Sequence, residues 1–301
     1  MRIAVVLNAS AGSMLGRHEA EAEVARHLEA AGLDAILVPD HPGGLCARLE
    51  HAIAHGADAV VVGGGDGTIA AAAARLVDTD IALGILPLGT MNMLAKDLGI
   101  PLALDAAAEA LAHGAIRSID VAEVNGHVYL CNSVIGSPSW MGRHRERHRG
   151  RASLRTRLTF ALAALRAEWL HRPMRLAVSL GQGRPVRLWT RALSVANNRY
   201  AEGFGLVMSR PRLDAGHLTL YVARRYGLWW WVRLSVGMFL GSWRGSRLVH
   251  ERPAERVTIG SPRTAIRVMN DGEALLLAPP LTYRIRPLAL RVIVPPAEGP
   301  A

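Results

Sequence analysis

The sequence predicts an α/β fold, with a mainly parallel sheet in its first part and a mainly antiparallel β domain in its second. In residues 1–125, apolar runs of strand length alternate with longer amphipathic segments. Asn125-Gly126, a dipeptide typical of hairpin turns, then opens a stretch of short strands. The charge changes at the same point: residues 1–125 carry 7 basic and 16 acidic side chains, whereas residues 126–301 carry 28 and 9.

The elements of the first part follow from apolar periodicity and from turn residues such as Gly32, which ends the first helix. Their alternation is typical of βαβ units and predicts a parallel sheet. The predicted elements are strand Ile3–Leu7, helix Arg17–Ala31, strand Ala35–Val38, helix Gly43–His55, strand Ala59–Val62, helix Ile69–Leu76, strand Ile81–Leu86, helix Met93–Leu98, helix Leu104–His113 and strand Ser118–Val124.

The second part is predicted to be mostly β. The final strand, Leu288–Val294, could pair in either domain, so we expect domains at 1–125 and 126–287 and a returning segment at 288–301. The predicted elements of the second part are the strands Val128–Val134, Met174–Leu180, Val186–Val195, Leu218–Val222, Arg256–Ile259 and Ala265–Met269 and the helices Leu154–Leu170 and Leu228–Leu240.

Composition argues against a disulfide-rich secreted protein and against a membrane-spanning one. Two cysteines do not form a disulfide framework, and Met1-Arg2-Ile3 runs into a strand without a signal-peptide pattern, so we expect a cytoplasmic protein. The most apolar segment, Leu228 to Leu240, contains Arg233 and is too short to span a bilayer.

A glycine-rich turn, Gly63 to Thr68, lies between a predicted strand and a predicted helix. Glycines let the main chain approach a phosphate, and a helix N-terminus attracts an anion. Asp66 would repel a phosphate unless a cation lay between them, so the turn indicates a nucleotide site that works with Mg²⁺. The alternative is a tight βα turn in which Asp66 is a capping residue, as Thr68 could also be.

Two further loops follow strands of the same predicted sheet. Pro87 to Asn92 ends the strand Ile81–Leu86, and Asn8 to Gly12 ends the strand Ile3–Leu7. Loops at the carboxyl ends of parallel strands gather at one edge, where ligands bind. We therefore expect the glycine-rich turn and the loop Pro87 to Asn92 to form one cleft, with Asn8 to Gly12 as a third loop on the same edge.

These motifs together resemble the diacylglycerol kinase catalytic family, which includes bacterial lipid kinases and sphingosine kinase-like enzymes. Gly64-Gly65-Asp66-Gly67-Thr68 is similar to its nucleotide motif, and Leu86 to Asn92 with Ala95 to Pro101 is similar to its second motif. Asp120 resembles a recurring acidic position, and Asn270-Asp271-Gly272-Glu273 resembles the Asp-Gly-Glu near the C-terminus.

The resemblance implies a nucleotide-binding domain, a β-rich lipid-accepting domain, a cleft between them, and transfer of the γ-phosphate of ATP to a lipid hydroxyl. Glu273, with Asp271, would accept the proton of that hydroxyl, and Asp66 would act in catalysis. Independent chemistry agrees, because phosphoryl transfer needs positioning, a metal that neutralises charge, and a carboxylate near the nucleophile. The implied nucleotide-binding residues are Asn8, Gly64, Gly65, Asp66, Gly67, Thr68, Gly89, Thr90 and Asn92.

Two positions depart from the family pattern. Met93 stands where an Asp is frequent, and Ala215 stands where an Asp helps to hold a structural Mg²⁺. The ligands left for that metal would be Asp214 and the carbonyls of Arg212 and His217, and carbonyls alone bind Mg²⁺ poorly.

The basic second part indicates an anionic membrane surface as a partner. Arg143 to Arg151 is a dense cationic run, and Trp229–Trp231 precedes an apolar stretch, which suits an enzyme at the inner face of the cytoplasmic membrane. No nucleic-acid motif is found, so we expect no nucleic-acid partner. Edge strands in the β-rich domain permit a homodimer.

Two alternatives to a lipid kinase stay open: a kinase of a soluble substrate such as NAD, and a catalytically weak nucleotide- or lipid-binding protein.

Overall fold

The structure is a computed structural model, and it falls into two units. Unit 1 is Met1–Val121 with Arg286–Ala301, and unit 2 is Ala122–Ile285. Most of the predicted helix Leu228–Leu240 and all of Leu154–Leu170 lie outside the described residues. The structure describes residues 1–8, 20–136, 173–201, 209–223, 233, 236–237 and 249–296.

Strands and helices alternate in the first part of the chain, as its apolar spacing predicts. Each predicted element there is present with bounds shifted by a few residues at most. The elements are β1 (Ile3–Leu7), α1 (Ala20–Ala30), β2 (Ala35–Leu37), α2 (Gly44–Ala54), β3 (Ala59–Gly64), α3 (Asp66–Leu76), β4 (Ala82–Pro87), α4 (Met93–Asp97), α5 (Leu104–Ala112) and β5 (Ala115–Val124).

The sheet of unit 1 is parallel, and its central strands are apolar throughout. β2, β1, β3 and β4 are neighbours in that order, and every residue of β1, β3 and β4 is buried. Continuous burial explains why these strands are unbroken apolar runs rather than alternating ones. The register pairs Leu7 with Gly63 and Gly64 with Pro87, so the loops after β1, β3 and β4 begin at one edge of the sheet.

Antiparallel strands make up the rest of the described chain. The fold class predicted from the sequence, a parallel α/β part followed by a mainly antiparallel β part, is confirmed. The strands are β6 (His127–Tyr129), β7 (Asn132–Gly136), β8 (Met174–Leu180), β9 (Val186–Thr190), β10 (Ala192–Asn197), β11 (Leu218–Ala223), β12 (Val249–Ala254), β13 (Arg256–Gly260), β14 (Ile266–Asn270), β15 (Glu273–Leu277) and β16 (Leu281–Val294).

Unit 2 has its own core. One six-stranded sheet has the order β12-β11-β10-β7-β14-β15, and a second set of neighbours runs β16-β13-β8-β9. Side chains of both sets are buried together, among them Leu176 and Val257 from one and Val195 and Val268 from the other. This is a β sandwich whose core is made by the alternating inward residues of two sheets.

The last strand, β16, is longer than the predicted Leu288–Val294. Its beginning pairs antiparallel with β13, and Val292 pairs parallel with Leu83 of β4 in unit 1. The prediction missed the first half because Arg284, Arg286 and Pro287 interrupt the apolar run. Leu288, at the change of direction, has a φ of 51°.

Two predicted strands were wrong in extent, and the structure gives a reason for each. Val128–Val134 is split into β6 and β7, because the N–H groups of Leu130 and Cys131 donate to the carboxylate of Asp271 instead of continuing a strand. Val186–Val195 is split into β9 and β10, because the Thr190 hydroxyl makes local bonds to the backbone of Ala192.

Across the parts of the chain that the structure describes, we find no helix with the length and apolarity needed to cross a bilayer.

Candidate functional site

The glycine turn after β3 forms the N-terminus of α3. Gly65 is the N-cap residue, and its carbonyl accepts the first intrahelical bond from Ile69 N–H at 3.0 Å. The N–H groups of Asp66, Gly67 and Thr68 therefore have no acceptor inside the helix, and such groups attract an anion. A Cβ added at Gly64 would come within 2.6 Å of the Thr68 side chain, so the glycine is required by packing.

Thr68 does not cap the helix, contrary to the expectation from sequence. Its hydroxyl is buried and accepts a hydrogen bond from Asn8 Nδ2 at 2.8 Å. The backbone N–H of Asn8 donates to the carbonyl of Gly63 at 2.9 Å. Asn8, the residue that follows β1, is thereby fixed to the turn after β3, and the rest of the predicted loop, residues 9–12, lies outside the described residues.

Asp66 connects the glycine turn to the turn after β4. Its carboxylate oxygens accept the N–H groups of Met93 at 2.7 Å and Asn92 at 3.0 Å. From the sequence, we explained this carboxylate by a bridging cation. The structure shows a further reason for an acidic residue at this position, because it holds the second turn in place.

The second turn is closed by the side chain of Asn92. This buried residue has a φ of 49°, and its amide bonds the carbonyls of Pro87 and Gly89 and the N–H of Gly89 at 2.9 to 3.0 Å. A Cβ on Gly89 would lie 2.4 Å from the Cα of Gly65, so the two turns touch through their backbones. Thr90 is exposed at the tip of this turn.

Asp120 is fully buried and lies away from these turns in the chain. Its carboxylate accepts the N–H of Leu288 at 2.9 Å, beside the change of direction in β16. The backbone of Asp78 bonds the carbonyl of Ala289 nearby. Asp120 therefore holds the returning segment of the chain.

Asp271 and Glu273 lie at a hairpin turn in unit 2 but have different surroundings. Asp271 and Gly272 have φ values of 47° and 95°, the left-handed region that a tight hairpin needs. The Asp271 carboxylate accepts the N–H groups of Leu130, Cys131 and Asn132 at 2.6 to 2.9 Å. Glu273 is exposed, and no hydrogen bond or ion pair joins its side chain to another residue that the structure describes.

Burial raises the pKa of Asp271, and the three main-chain hydrogen bonds and the charge of Arg210 act in the opposite direction. Arg210 is itself buried, and its guanidinium donates to the carbonyls of Leu130 and Asn197. Asp271 thus accepts the N–H of Leu130, and Arg210 donates to the carbonyl of the same residue. Both side chains fix the backbone at this position. Our sequence analysis did not find Arg210, since an isolated Arg before a Pro carries no recognisable pattern.

Asn270 is a second residue whose importance the sequence did not show. It is 5% exposed, and neither its amide nitrogen nor its amide oxygen has a partner among the described residues. Asn270 pairs across the hairpin with Glu273 and across the next strand with Ser133. Asn270 is therefore a buried polar side chain whose hydrogen bonds the described residues do not supply, and such a side chain is uncommon in a folded protein.

The residues predicted to hold a structural Mg²⁺ make hydrogen bonds within the protein, and their role as ligands stays a prediction. Asp214 accepts a hydrogen bond from Arg212 at 3.2 Å, and the carbonyl of His217 accepts the N–H of Asn198 at 3.2 Å. No group of three acidic, His or Cys side chains that could hold a metal exists among the described residues. Arg143 to Arg151 lie outside those residues, as do Trp229–Trp231.

Comparison with known families agrees with this division of the chain. Residues 2–124 match the diacylglycerol kinase catalytic domain, and residues 142–294 match the YegS C-terminal NAD kinase beta sandwich-like domain. The chain therefore belongs to the family that combines these two domains. This confirms the resemblance inferred from the motifs.

Curated relatives match a part of the chain. A protein named "Probable lipid kinase YegS-like" from Pseudomonas aeruginosa is 41% identical over 121 residues, which is 40% of this chain and 40% of that protein. "Lipid kinase YegS" from Escherichia coli K12 is 42% identical over 92 residues, 29% of this chain and 31% of that protein. The matched region thus spans less than half the length of these relatives.

The whole fold has a counterpart among solved structures. A crystal structure described as a diacylglycerol kinase from Bacillus anthracis str. Sterne superimposes with a TM-score of 0.68 at 18% sequence identity. The match covers 98% of this chain and 97% of that one. At this identity the likeness concerns the fold.

Proposed function

We propose that this protein is an ATP-dependent lipid kinase that transfers the γ-phosphate to a hydroxyl of diacylglycerol or a related lipid at the inner membrane surface. The observation that carries the proposal is the pair of turns after β3 and β4. Asp66 and Asn92 lock these turns together, and Gly65 and Gly89 bring their backbones into contact. Such a rigid glycine edge beside a helix N-terminus suits the phosphates of a nucleotide.

In this proposal ATP, when bound, supplies the phosphoryl group. The N–H groups at the start of α3 orient its phosphates, and Asn8 fixes the hydroxyl of Thr68 beside them. Mg²⁺ would enter with the nucleotide, and Asp66, the acidic residue of the two turns, is the side chain suited to face it. The carboxylate of Asp66 keeps lone pairs beyond the two that accept N–H groups.

Glu273 accepts the proton of the attacking lipid hydroxyl. Its carboxylate is exposed, whereas that of Asp271 is held by three N–H groups and keeps the hairpin in shape. We therefore give Asp271 a positioning role and Glu273 the role of general base. A general base must reach the hydroxyl directly, which an exposed side chain can do.

The test is incubation of the purified protein with γ-labelled ATP, Mg²⁺ and a lipid extract, followed by separation of labelled products. We expect label in a lipid product that contains a new phosphomonoester. NAD is the acceptor to run in parallel, because one alternative is a kinase of that soluble substrate. Label in NAD and none in lipid would contradict the proposal, as would no transfer to either acceptor.

A further inference from the structure

The hairpin formed by β8 and β9 is strongly cationic. Residues 173–191 contain Arg175, Arg184, Arg187 and Arg191 and no acidic residue. β9 is the last strand in the order β16-β13-β8-β9, so the hairpin lies at an edge of its sheet. Edge strands of soluble proteins commonly carry charge, but a run without any acidic residue also attracts anionic partners.

One face of this hairpin combines its cations with an exposed indole. Arg175 pairs with Trp189, and Ala177 pairs with Arg187, so these side chains lie on the same face. The alternate residues Leu176 and Val178 are buried in the core of unit 2. We call the face with Arg175, Arg187 and Trp189 the outer hairpin face.

Trp189 is 56% exposed, and the guanidinium carbon of Arg175 lies 4.2 Å from the centre of its ring. No ion pair joins Arg175, Arg184 or Arg187 to an acidic side chain within the described residues. Val186 is 62% exposed, but it pairs with the buried Val178 and so lies on the other face of the hairpin. The outer hairpin face therefore combines an exposed indole with arginines that have no acidic partner within the described residues.

We propose that the outer hairpin face docks onto the anionic lipid surface of a bilayer. Arginines attract anionic head groups, and tryptophan prefers the interface between head groups and acyl chains. A nucleic acid would also use the charge, but an exposed indole among arginines is typical of the interface of a bilayer, and we therefore take the lipid surface as the occupant. The inference rests on the proposed function in one respect, since a lipid kinase must reach a substrate that resides in a membrane.

Vesicle binding of matched charge variants tests the proposal. We expect Arg184→Ser/Arg187→Ser to weaken binding to phosphatidylcholine–phosphatidylglycerol vesicles by roughly 30-fold, at about 1 kcal/mol for each cation near the surface. Arg26→Ser/Arg263→Ser removes the same charge from exposed residues elsewhere and is the control. Equal binding of the hairpin variant and wild type, or equal weakening by both variants, would overturn the proposal.

Trp189 gives a second, local measurement. Lipids brominated on their acyl chains should quench a fluorescence component in the wild type that is missing from Trp189→Phe. Identical quenching in both would show that Trp189 does not reach the bilayer and would overturn the docking face. RNA that displaces the wild-type protein from vesicles but does not displace the hairpin variant would show that the hairpin binds nucleic acid. That result would also overturn the docking face.

Kinase activity on detergent-dispersed lipid separates this inference from the proposed function. The hairpin variant should phosphorylate dispersed lipid as well as wild type does, because the hairpin contributes no catalytic group. A protein that binds anionic vesicles through the hairpin but phosphorylates no lipid would support the docking face and contradict the kinase. Loss of activity on dispersed lipid in the hairpin variant would contradict docking as the hairpin's role.

Discussion

At the scale of single residues, Asp66 has a structural role that the structure shows and a catalytic role that we propose. It receives two N–H groups from the second turn, so it fixes the spacing of the two loops that we propose to hold the nucleotide. The cation inferred from sequence and these hydrogen bonds are compatible, because each carboxylate oxygen accepts more than one partner.

Asp66→Ala is expected to abolish phosphoryl transfer while the protein stays folded. Removing the carboxylate leaves the N–H groups of Asn92 and Met93 without acceptors, at a cost of roughly 1–3 kcal/mol in unfolding free energy. Asp105→Ala is the matched control, because Asp105 also lies in the first turn of a helix and is exposed. Turnover measures the loss of phosphoryl transfer, circular dichroism shows whether the variant is folded, and denaturant titration measures its free energy of unfolding. Turnover near the wild-type rate in a folded Asp66 variant would contradict the assignment.

Asn270 is the residue at which stability and function should separate. Its unsatisfied amide costs folding free energy, so Asn270→Leu should raise the free energy of unfolding by about 1 kcal/mol. The same change should lower turnover, since Asn270 lies opposite Glu273 in the hairpin.

Thr219→Val is the control for this prediction. Thr219 is fully buried in the same unit, and its hydroxyl also has no partner among the described residues. This variant should be stabilised similarly and keep its activity. If Asn270→Leu also kept full activity, the unsatisfied amide would have no part in the reaction.

At the scale of elements, the turns after β3 and β4 can touch because Gly89 has no side chain. Gly89→Ala would place a methyl group 2.4 Å from the Cα of Gly65, whereas Gly65→Ala would meet only an ordinary contact at 3.5 Å. We expect Gly89→Ala to lower the thermal midpoint by several degrees, at about 1–3 kcal/mol for overpacking. Gly65→Ala should keep that midpoint. Equal midpoints for both variants would show that the two turns are not in rigid contact.

The sequence predicts the elements of the first part well because its central strands are buried on both faces and are punctuated by glycine. It predicts the second part less completely. β12 contains Glu251, Arg252 and Pro253, and β15 shows no alternation, so neither has a strand pattern. Where a side chain far along the chain redirects the backbone, as Asp271 does at Leu130, no local pattern can show it.

The same distinction applies to the candidate site. Glycines and acidic residues at loop positions were recognisable, and the resemblance supplied their roles. The hydrogen-bond partners of those residues could not be recognised from the sequence, because they lie far away along the chain. Asp66 contacts Asn92, which is 26 positions away, and Asp271 contacts residues 139 to 141 positions away. Buried polar residues such as Arg210 and Asn270 are identified only by their surroundings.

At the scale of the whole molecule, the charge is divided along the chain. Residues 126–301 carry a net charge of +19 and residues 1–125 a net charge of −9. We expect the protein to bind anionic vesicles but not neutral ones, and added salt to weaken binding because it screens exposed charges.

The cationic run in the second part provides a test of this expectation. Replacing Arg143, Arg145, Arg147 and Arg149 by Ser should reduce flotation with anionic vesicles and leave activity on detergent-dispersed lipid intact. Unchanged flotation would exclude this run as a membrane contact and would leave the outer hairpin face as the main candidate.

The central claim is that the turns after β3 and β4 bind the nucleotide and that Glu273 accepts the proton of the lipid hydroxyl. Glu273→Gln tests it most directly, with Glu255→Gln, an exposed residue of the same unit, as the control. We predict that Glu273→Gln lowers kcat by about 10²–10⁴-fold and leaves the Kd for ATP unchanged, while the control changes neither. A Glu273→Gln variant that lost ATP binding but kept wild-type turnover at saturating ATP would make Glu273 a nucleotide ligand and contradict the account.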